Sequence, residues 1–409
     1  MDLTAEEIVP LLLSHADSDL KLYPAPPPTQ SAVYLRPSIE PSGEKRKRRS
    51  WASEFFGSSP VEQETVKTPA DLILSLPPEI IEEIAECLPR SNLVALSMTC
   101  RAFRYLIWGP SQPERNIADA LTYEDYLEYL YTISRGTAGQ WVCTSCDAIH
   151  ETNLTDTPTN AEAVNCPSAK QAITRTGKNG QTWSVQPWLG TTGLCLGKYH
   201  LGHRHVQTVL KYNRLGNLTP EQKRHFHALM STYRQSGVYG NSADTSKHEV
   251  QLEIVAEQLL VLSTWSVTKE YGQFYLRDMD GLYICPHLQI FQEFAVKPLR
   301  VRCPTRISPL RDTMVAAMAN EGLTQAGSCE SCPIDYTVLF KSEKHCEIRA
   351  WFNCGGELVC SQDDNWRALS VDLRGDQLLY SVQHTPGIVR LLFDKAQQQK
   401  TARVRWPLR

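Results

Sequence analysis

The chain has 409 residues, 42% of them hydrophobic and 21% charged, with a formal charge of −3. This is an ordinary globular composition, long enough for two or three domains. It excludes bulk attraction to nucleic acid or anionic membrane, and no apolar run is long enough to span a bilayer, the stretch around Leu259 to Leu262 being far too short.

Residues 1 to 70 hold nine of the 25 prolines, Pro24, Pro26, Pro27 and Pro28 among them. Little apolar surface is present there to offset the entropy of ordering, so a disordered arm is expected. Asp2, Glu6 and Glu7 stand where a secretory signal would be basic, so none is expected. Thr4 and Glu7 have capping-box spacing ahead of Ile8, Leu11 and Leu12. Lys45, Arg46, Lys47, Arg48 and Arg49 form an uninterrupted basic run, the pattern of a nuclear import signal or a phosphate-contacting patch. A nuclear or cytoplasmic location, or both, follows as the expectation.

The next segment is the most informative. Pro77 and Pro78 suit a helix start, because first-turn amides have no internal partner. Glu79 and Glu82 lie near the positive end of that helix's dipole. Ile80, Ile81, Ile84, Cys87 and Leu88 make a broad apolar face, and Pro89 stops the helix. Ser91 is placed to cap a second helix, which carries Leu93, Leu96, Met98 and Cys100, with Phe103, Leu106 and Ile107 continuing the series to about 106. A unit of about forty residues rarely folds stably alone. Its apolar residues exceed what it can hide, and a surplus of that kind belongs to a partner.

From about 115 onward the pattern is that of one mixed domain. A helix is predicted over Thr122 to Ile133, and Val250, Leu252 and Ile254 alternate as in a strand. Phe274 to Leu276 and Leu282 to Ile284 flank Asp280-Gly281, a hairpin signal. A second hairpin is predicted to pair Tyr336 to Phe340 with Cys346 to Trp351. Thr385-Pro386 has the look of a cap and first-turn proline for a last helix, Gly387 to Ala396. Lys395, Lys400, Arg403, Arg405 and Arg409 make the end basic, a solvated tail or a surface for an acidic partner.

Thirteen cysteines in a chain with no expected export signal read as reduced thiols or metal ligands. Cys143 with Cys146 and Cys329 with Cys332 have the two-residue gap of a zinc knuckle, which lets two thiolates meet one tetrahedral ion. His150, Cys166, Cys195, His200, His203 and His205 are candidates to complete the first pair; His345, Cys346, Cys354 and Cys360 to complete the second. Small buried thiols are the alternative for both. His203 and His205 alternate as on a strand. Arg204, Lys211 and Arg214, among the histidines, offer charge for an acidic substrate. Gly193 to Tyr199 misses the phosphate-loop spacing and its Ser or Thr, and Leu154 stands where a zinc-protease motif begun by His150-Glu151 needs its second His. No lipase-type or dinucleotide-binding pattern is present, so no enzyme is expected.

Leu76-Pro77, Glu79-Ile80, Ile84, Leu88, Leu93, Leu96, Cys100-Arg101 and Phe103-Arg104, taken together, resemble the F-box motif. The resemblance implies a small three-helix unit over 71–110 that packs on the Skp-type adaptor of a Skp–cullin–F-box (SCF) ubiquitin ligase. It implies that Leu74, Leu76, Pro77, Ile80, Ile84 and Leu93 face that adaptor, with Leu88, Leu96, Cys100 and Phe103 in the same surface. Trp141, Cys143, Cys146 and His150, then Cys285-Pro286-His287-Leu288, Cys329, Cys332-Pro333, Asp335-Tyr336 and Trp366, resemble the long C-terminal region of fungal F-box proteins without leucine-rich or WD repeats. The implied architecture is α+β: a disordered arm (1–70), the F-box (71–110) and a mixed α+β domain (115–409) that recruits a target and is open to structural zinc. The implied role is that of a non-catalytic substrate receptor, tied through the adaptor to a cullin. The alternatives are a nuclear zinc-stabilised module for nucleic acid or protein and, from the Cys143, Cys146 and histidine cluster, a metal-dependent enzyme.

Overall fold

The computed structural model describes residues 75–99, 101–108, 121–144, 146–166, 173–176, 182–185, 193–196, 198–238, 245–276, 282–285, 287–289, 309–359, 362–369 and 381–405. The expected disordered arm and its basic run, together with Leu74, Cys100 and the Asp280-Gly281 turn, lie outside them. All described residues belong to one unit, 67–409, and it is α+β. No helix among the described residues is long and apolar enough to cross a membrane.

Three short helices come first: α1 Pro78–Cys87, α2 Arg90–Thr99 and α3 Arg101–Trp108. The carbonyl of Pro77 accepts from the amides of Ile80 (3.1 Å) and Ile81 (3.3 Å), so the proline pair does start α1. Ser91 is not the cap expected of it. Pro89 takes the first amides of α2, those of Asn92 and Leu93 (both 3.0 Å), which moves the start to Arg90 and turns Ser91 inward. The single helix expected to run from 91 to 106 is two.

Thr122 caps α4, Tyr123–Ser134, by accepting from the amide of Asp125 (3.2 Å). Leu127 and Leu130 pack with Val142 and Val359. Three small hairpins follow: β1 Gln140–Cys143 with β2 Ala148–Glu151, β3 Ile173–Thr176 with β4 Thr182–Val185, and β5 Gly193–Leu196 with β6 Tyr199–Gly202.

His203 and His205 do not lie on a strand. They open α5, His203–Leu215, which is buried from His203 through Tyr212. Gly202 precedes the helix, and the side chain of His205 reaches back to accept from its amide (3.0 Å). After α6, Pro220–Met230, comes a six-stranded antiparallel sheet in the order β12-β13-β14-β9-β8-β7. Its strands are β7 Tyr233–Val238, β8 Thr245–Val255, β9 Gln258–Thr268, β12 Gln325–Ser328, β13 Ile334–Ser342 and β14 His345–Asn353. β13 pairs with β14 as predicted, Tyr336 opposite Ala350 and Phe340 opposite Cys346.

The other predicted hairpin forms differently. Tyr283–Cys285 (β10) pairs with Leu288–Gln289 (β11), not with residues 274–276. Phe274 instead sets its ring edge-on against Phe340, its amide donating to the Glu343 carbonyl (2.9 Å). The helix α7, Pro309–Ala319, packs through Leu310, Met314 and Ala317 into the main core. The short α8, Asp364–Leu369, adds Trp366 and Leu369 to it.

Strand periodicity distributes the sheet's apolar residues to two sides. Leu259, Val261, Ile348 and Phe352 join the main core, while Leu260 and Trp351 join a second cluster with Val389 and Phe393 of α9, Ile388–Arg405. Asp335 anchors the start of α9, accepting from the amides of Gly387 (2.7 Å) and Arg390 (3.0 Å). The basic tail is partly engaged, since the Lys400 ammonium pairs with the buried Glu253 carboxylate at 2.5 Å.

His203 predicts an acid-sensitive fold. Its Nδ1 accepts from Gln207 (3.1 Å), its Nε2 has no described partner, and its ring lies 5.1 Å from that of Trp366. Burial pulls its pKa down to about 3. The unfolded chain protonates this histidine near pH 6.5 whereas the fold does not, so stability is full above about pH 6.5 and falls as pH drops toward about 3. His248, pulled down to about 4 by burial, adds to the same window. The thermal midpoint is expected to drop steadily between pH 7 and 4, and less steeply in His203→Gln. Equal slopes in the two proteins would remove His203 from the explanation.

Candidate functional site

The first candidate surface lies on α1 and α2. Burial there is inverted with respect to polarity. On α2 the buried side chains are Ser91, Val94 and Ser97, while Leu93 and Leu96 are half-buried and Met98 is 50% exposed. Ser97 satisfies itself by donating to the Val94 carbonyl (2.7 Å). Leu76 is 37% exposed, Ile80 and Ile84 each 41%. Pro77 is exposed and Leu88 half-buried. Phe103 and Ile81 are buried inside the unit with Val94. Of the expected contact residues, then, Leu76, Pro77, Ile80, Ile84, Leu88, Leu93 and Leu96 present surface, whereas Phe103 is buried.

α2 packs on α4, and the Thr132 hydroxyl of α4 donates to Asn92 Oδ1 (3.2 Å).

Two groups of side chains that can hold a metal ion lie further along the chain: Cys143, Cys146, His150 and Cys166, and Cys285, His287, Cys329 and Cys332. Within each, the four ligand atoms all lie within 4.8 Å of one another. In the first, Cys143 ends β1, Cys146 sits in the turn and His150 is on β2, so the hairpin itself brings three ligands together. The backbone turns back through Asp147, at φ 51°. Cys166 arrives from the loop beyond the short 3-10 turn Ala161–Ala163, its Sγ 3.8 Å from those of both Cys143 and Cys146. Cys146 Sγ is 2.9 Å from His150 Nε2. Burial and the neighbouring Cys143 and Cys166 push the Cys146 thiol well up, so without a cation it stays protonated.

The buried polar residues of α5 hold this first group in place. The Gln207 side chain donates to the carbonyl of Val142 (3.2 Å) and accepts from its amide (3.0 Å), fixing β1 next to Cys143. Lys211 donates to the carbonyls of Ser134 (3.0 Å) and Gln140 (2.7 Å), joining the end of α4 to the start of β1. Arg204 makes a two-pronged pair with Asp156 (2.6 and 2.9 Å), and His205 Nε2 donates to the same carboxylate (2.9 Å). Asp156 lies on the loop between β2 and Cys166. These charges were candidates for an acidic substrate; the fold uses them internally, and Arg214 is taken up by Glu357 (2.8 Å).

The second group joins two turns. Cys285 and His287 flank the β10–β11 turn, and Cys329 and Cys332 the β12–β13 turn. Cys285 Sγ is 3.8 Å from Cys329 Sγ, and His287 Nδ1 is 2.9 Å from Cys332 Sγ. The Ser331 amide donates to Cys329 Sγ (3.4 Å), as in a knuckle built for a thiolate. None of the described candidates for this pair belongs to it. His345 bonds to Ser266 (3.2 Å) and Thr268 (3.0 Å), Cys346 and Cys354 are apolar filling, and Cys360 is outside the described residues. The signal that could have found the partners was Cys285-Pro286-His287, two ligand types two residues apart. From its described candidates the first group takes His150 and Cys166.

A family model described as the F-box domain matches residues 73–112. The chain carries an F-box domain. The match spans α1, α2 and α3 and so covers the inverted burial described above. No curated protein and no solved structure matches the chain, so the region behind the F-box rests on its own geometry.

Proposed function

We propose that the protein is a substrate receptor of an SCF ubiquitin ligase. The F-box would bind a Skp-type adaptor and through it a cullin; the region from about 115 would hold the target. The observation that carries this reading is the exposed row Leu76, Ile80 and Ile84 beside a helix whose serines, Ser91 and Ser97, are buried, within the segment that matches the F-box domain. Burying such side chains on a partner is worth roughly 1.5–3 kcal/mol each. In this reading the chain supplies no catalytic group. A tethered target lysine meets the ubiquitin carrier at high effective concentration, and proximity does the rest. The region behind the F-box is read as stabilised by structural zinc, its Cys/His groups being the support for that part.

The test is co-expression with a Skp-type adaptor. Wild type is expected to co-purify with it, and Leu76→Ala combined with Pro77→Ala to lose it while keeping the wild-type far-ultraviolet circular dichroism. Undiminished capture of adaptor by the double variant would defeat the receptor reading.

A further inference from the structure

This inference rests on the zinc-stabilised reading of the region and deepens it. We propose that both Cys3His groups are complete four-ligand zinc sites, one closed by Cys143, Cys146, His150 and Cys166 and the other by Cys285, His287, Cys329 and Cys332.

Geometry comes first. A tetrahedral ion with zinc–sulfur bonds of about 2.3 Å places its sulfurs about 3.8 Å apart. The pairs Cys143–Cys166, Cys146–Cys166 and Cys285–Cys329 are each separated by 3.8 Å. Two independent groups of the same composition show this spacing, each drawn from segments that are not adjacent in sequence. Cys285 and Cys329 are 44 positions apart.

The donor set then selects the ion. Three sulfurs and one imidazole suit zinc and are poor ligands for magnesium or calcium, which take oxygen. Four protein ligands leave no open position for water or substrate, so each site is structural. Binding expels the protons of three thiols into solvent and leaves a site of net charge −1: three thiolates, a neutral imidazole and a doubly charged cation. The surroundings suit this. Ser331 directs its amide at Cys329 Sγ, and Gln207 holds the backbone of Val142 beside Cys143.

Loading requires two adjustments. Cys146 and His150, and Cys332 and His287, stand at 2.9 Å and open to the mixed sulfur–nitrogen edge of about 3.5 Å. Cys332 Sγ also withdraws from the Ala368 carbonyl, 3.1 Å away, because a thiolate cannot donate to it.

The experiment is metal analysis of the full chain purified without chelator. Two zinc ions per chain are expected. Cys146→Ser and Cys332→Ser should each lose one ion, and cobalt exchanged into wild type should give the intense visible absorption of tetrahedral cobalt thiolate. Fewer than two zinc ions in wild type, iron with labile sulfide, or a serine variant that keeps both ions overturns the proposal. Wild-type stoichiometry and the cobalt spectrum decide the matter even where a variant does not fold. Adaptor capture is a separate readout. A chain that captures adaptor without zinc overturns this inference alone; a zinc-loaded chain that captures no adaptor overturns the receptor reading alone.

Discussion

Asp156→Ala is expected to lower the stability of the unit by roughly 3–5 kcal/mol, the cost of breaking a buried ion pair by removing one partner. Both partners are buried, and the variant leaves the Arg204 guanidinium there with only the Ala161 carbonyl (3.0 Å). It also strands the Nε2 hydrogen of His205. The change should appear as a fall of about 4–7 °C in the thermal midpoint. The wild-type carboxylate carries its own pH signature. Burial pushes its pKa up, but the opposing pull of His205 and Arg204 wins and holds it at about 2. The stability it contributes is therefore present above the unfolded value near pH 4 and lost as pH falls from there through about 2. This window overlaps the acid end of the one that His203 opens and extends below it. A midpoint in Asp156→Ala within 2 °C or so of wild type would mean that Arg204 finds water or another partner, and that the pair does not organise the loop.

The second large effect concerns α1. Ile80→Glu with Ile84→Glu is expected to weaken adaptor binding at least about a hundredfold. Each isoleucine forfeits roughly 1.5–3 kcal/mol of burial, and every 1.4 kcal/mol is tenfold in affinity. Both side chains are 41% exposed, so the thermal midpoint of the free chain should barely move. Ile81 is the internal control. It is only 6% exposed on the same helix, so Ile81→Ala should lower stability by about 2–5 kcal/mol. Calorimetric titration of adaptor into each variant reads the two effects apart. If Ile80→Glu with Ile84→Glu bound as wild type does, the adaptor would have to use another face.

The F-box was legible because its signal is local: a proline pair, an apolar face and a surplus within about forty residues. The β13–β14 hairpin was legible for the same reason. What sequence hid depends on distance or on burial. Cys285 and His287 reach the second cysteine pair from a different hairpin, and no local pattern announces that meeting. α5 is hard to recognise because its residues are polar: His203, Arg204, His205, Gln207 and Lys211 look like surface, yet all are buried. They satisfy backbone and carboxylate groups that would otherwise be orphaned, so polarity there serves the interior. The strand β9 escaped notice for another reason. Its turn from β8, Ala256-Glu257, holds two positive φ angles, 47° and 62°, without the Asn or Gly that usually marks such a turn.

The helix α4 has neighbours at both ends. Its Thr132 touches Asn92 in the F-box, and its Tyr123 donates to Asp147 (2.9 Å) in the first cysteine turn. Lys211 ties the C-terminal end of α4 to the start of β1, and Leu127 and Leu130 seat it on Val142. In the receptor reading α4 is therefore a fixed strut, and the distance from a bound adaptor to a bound target would be set in part by the length of one helix.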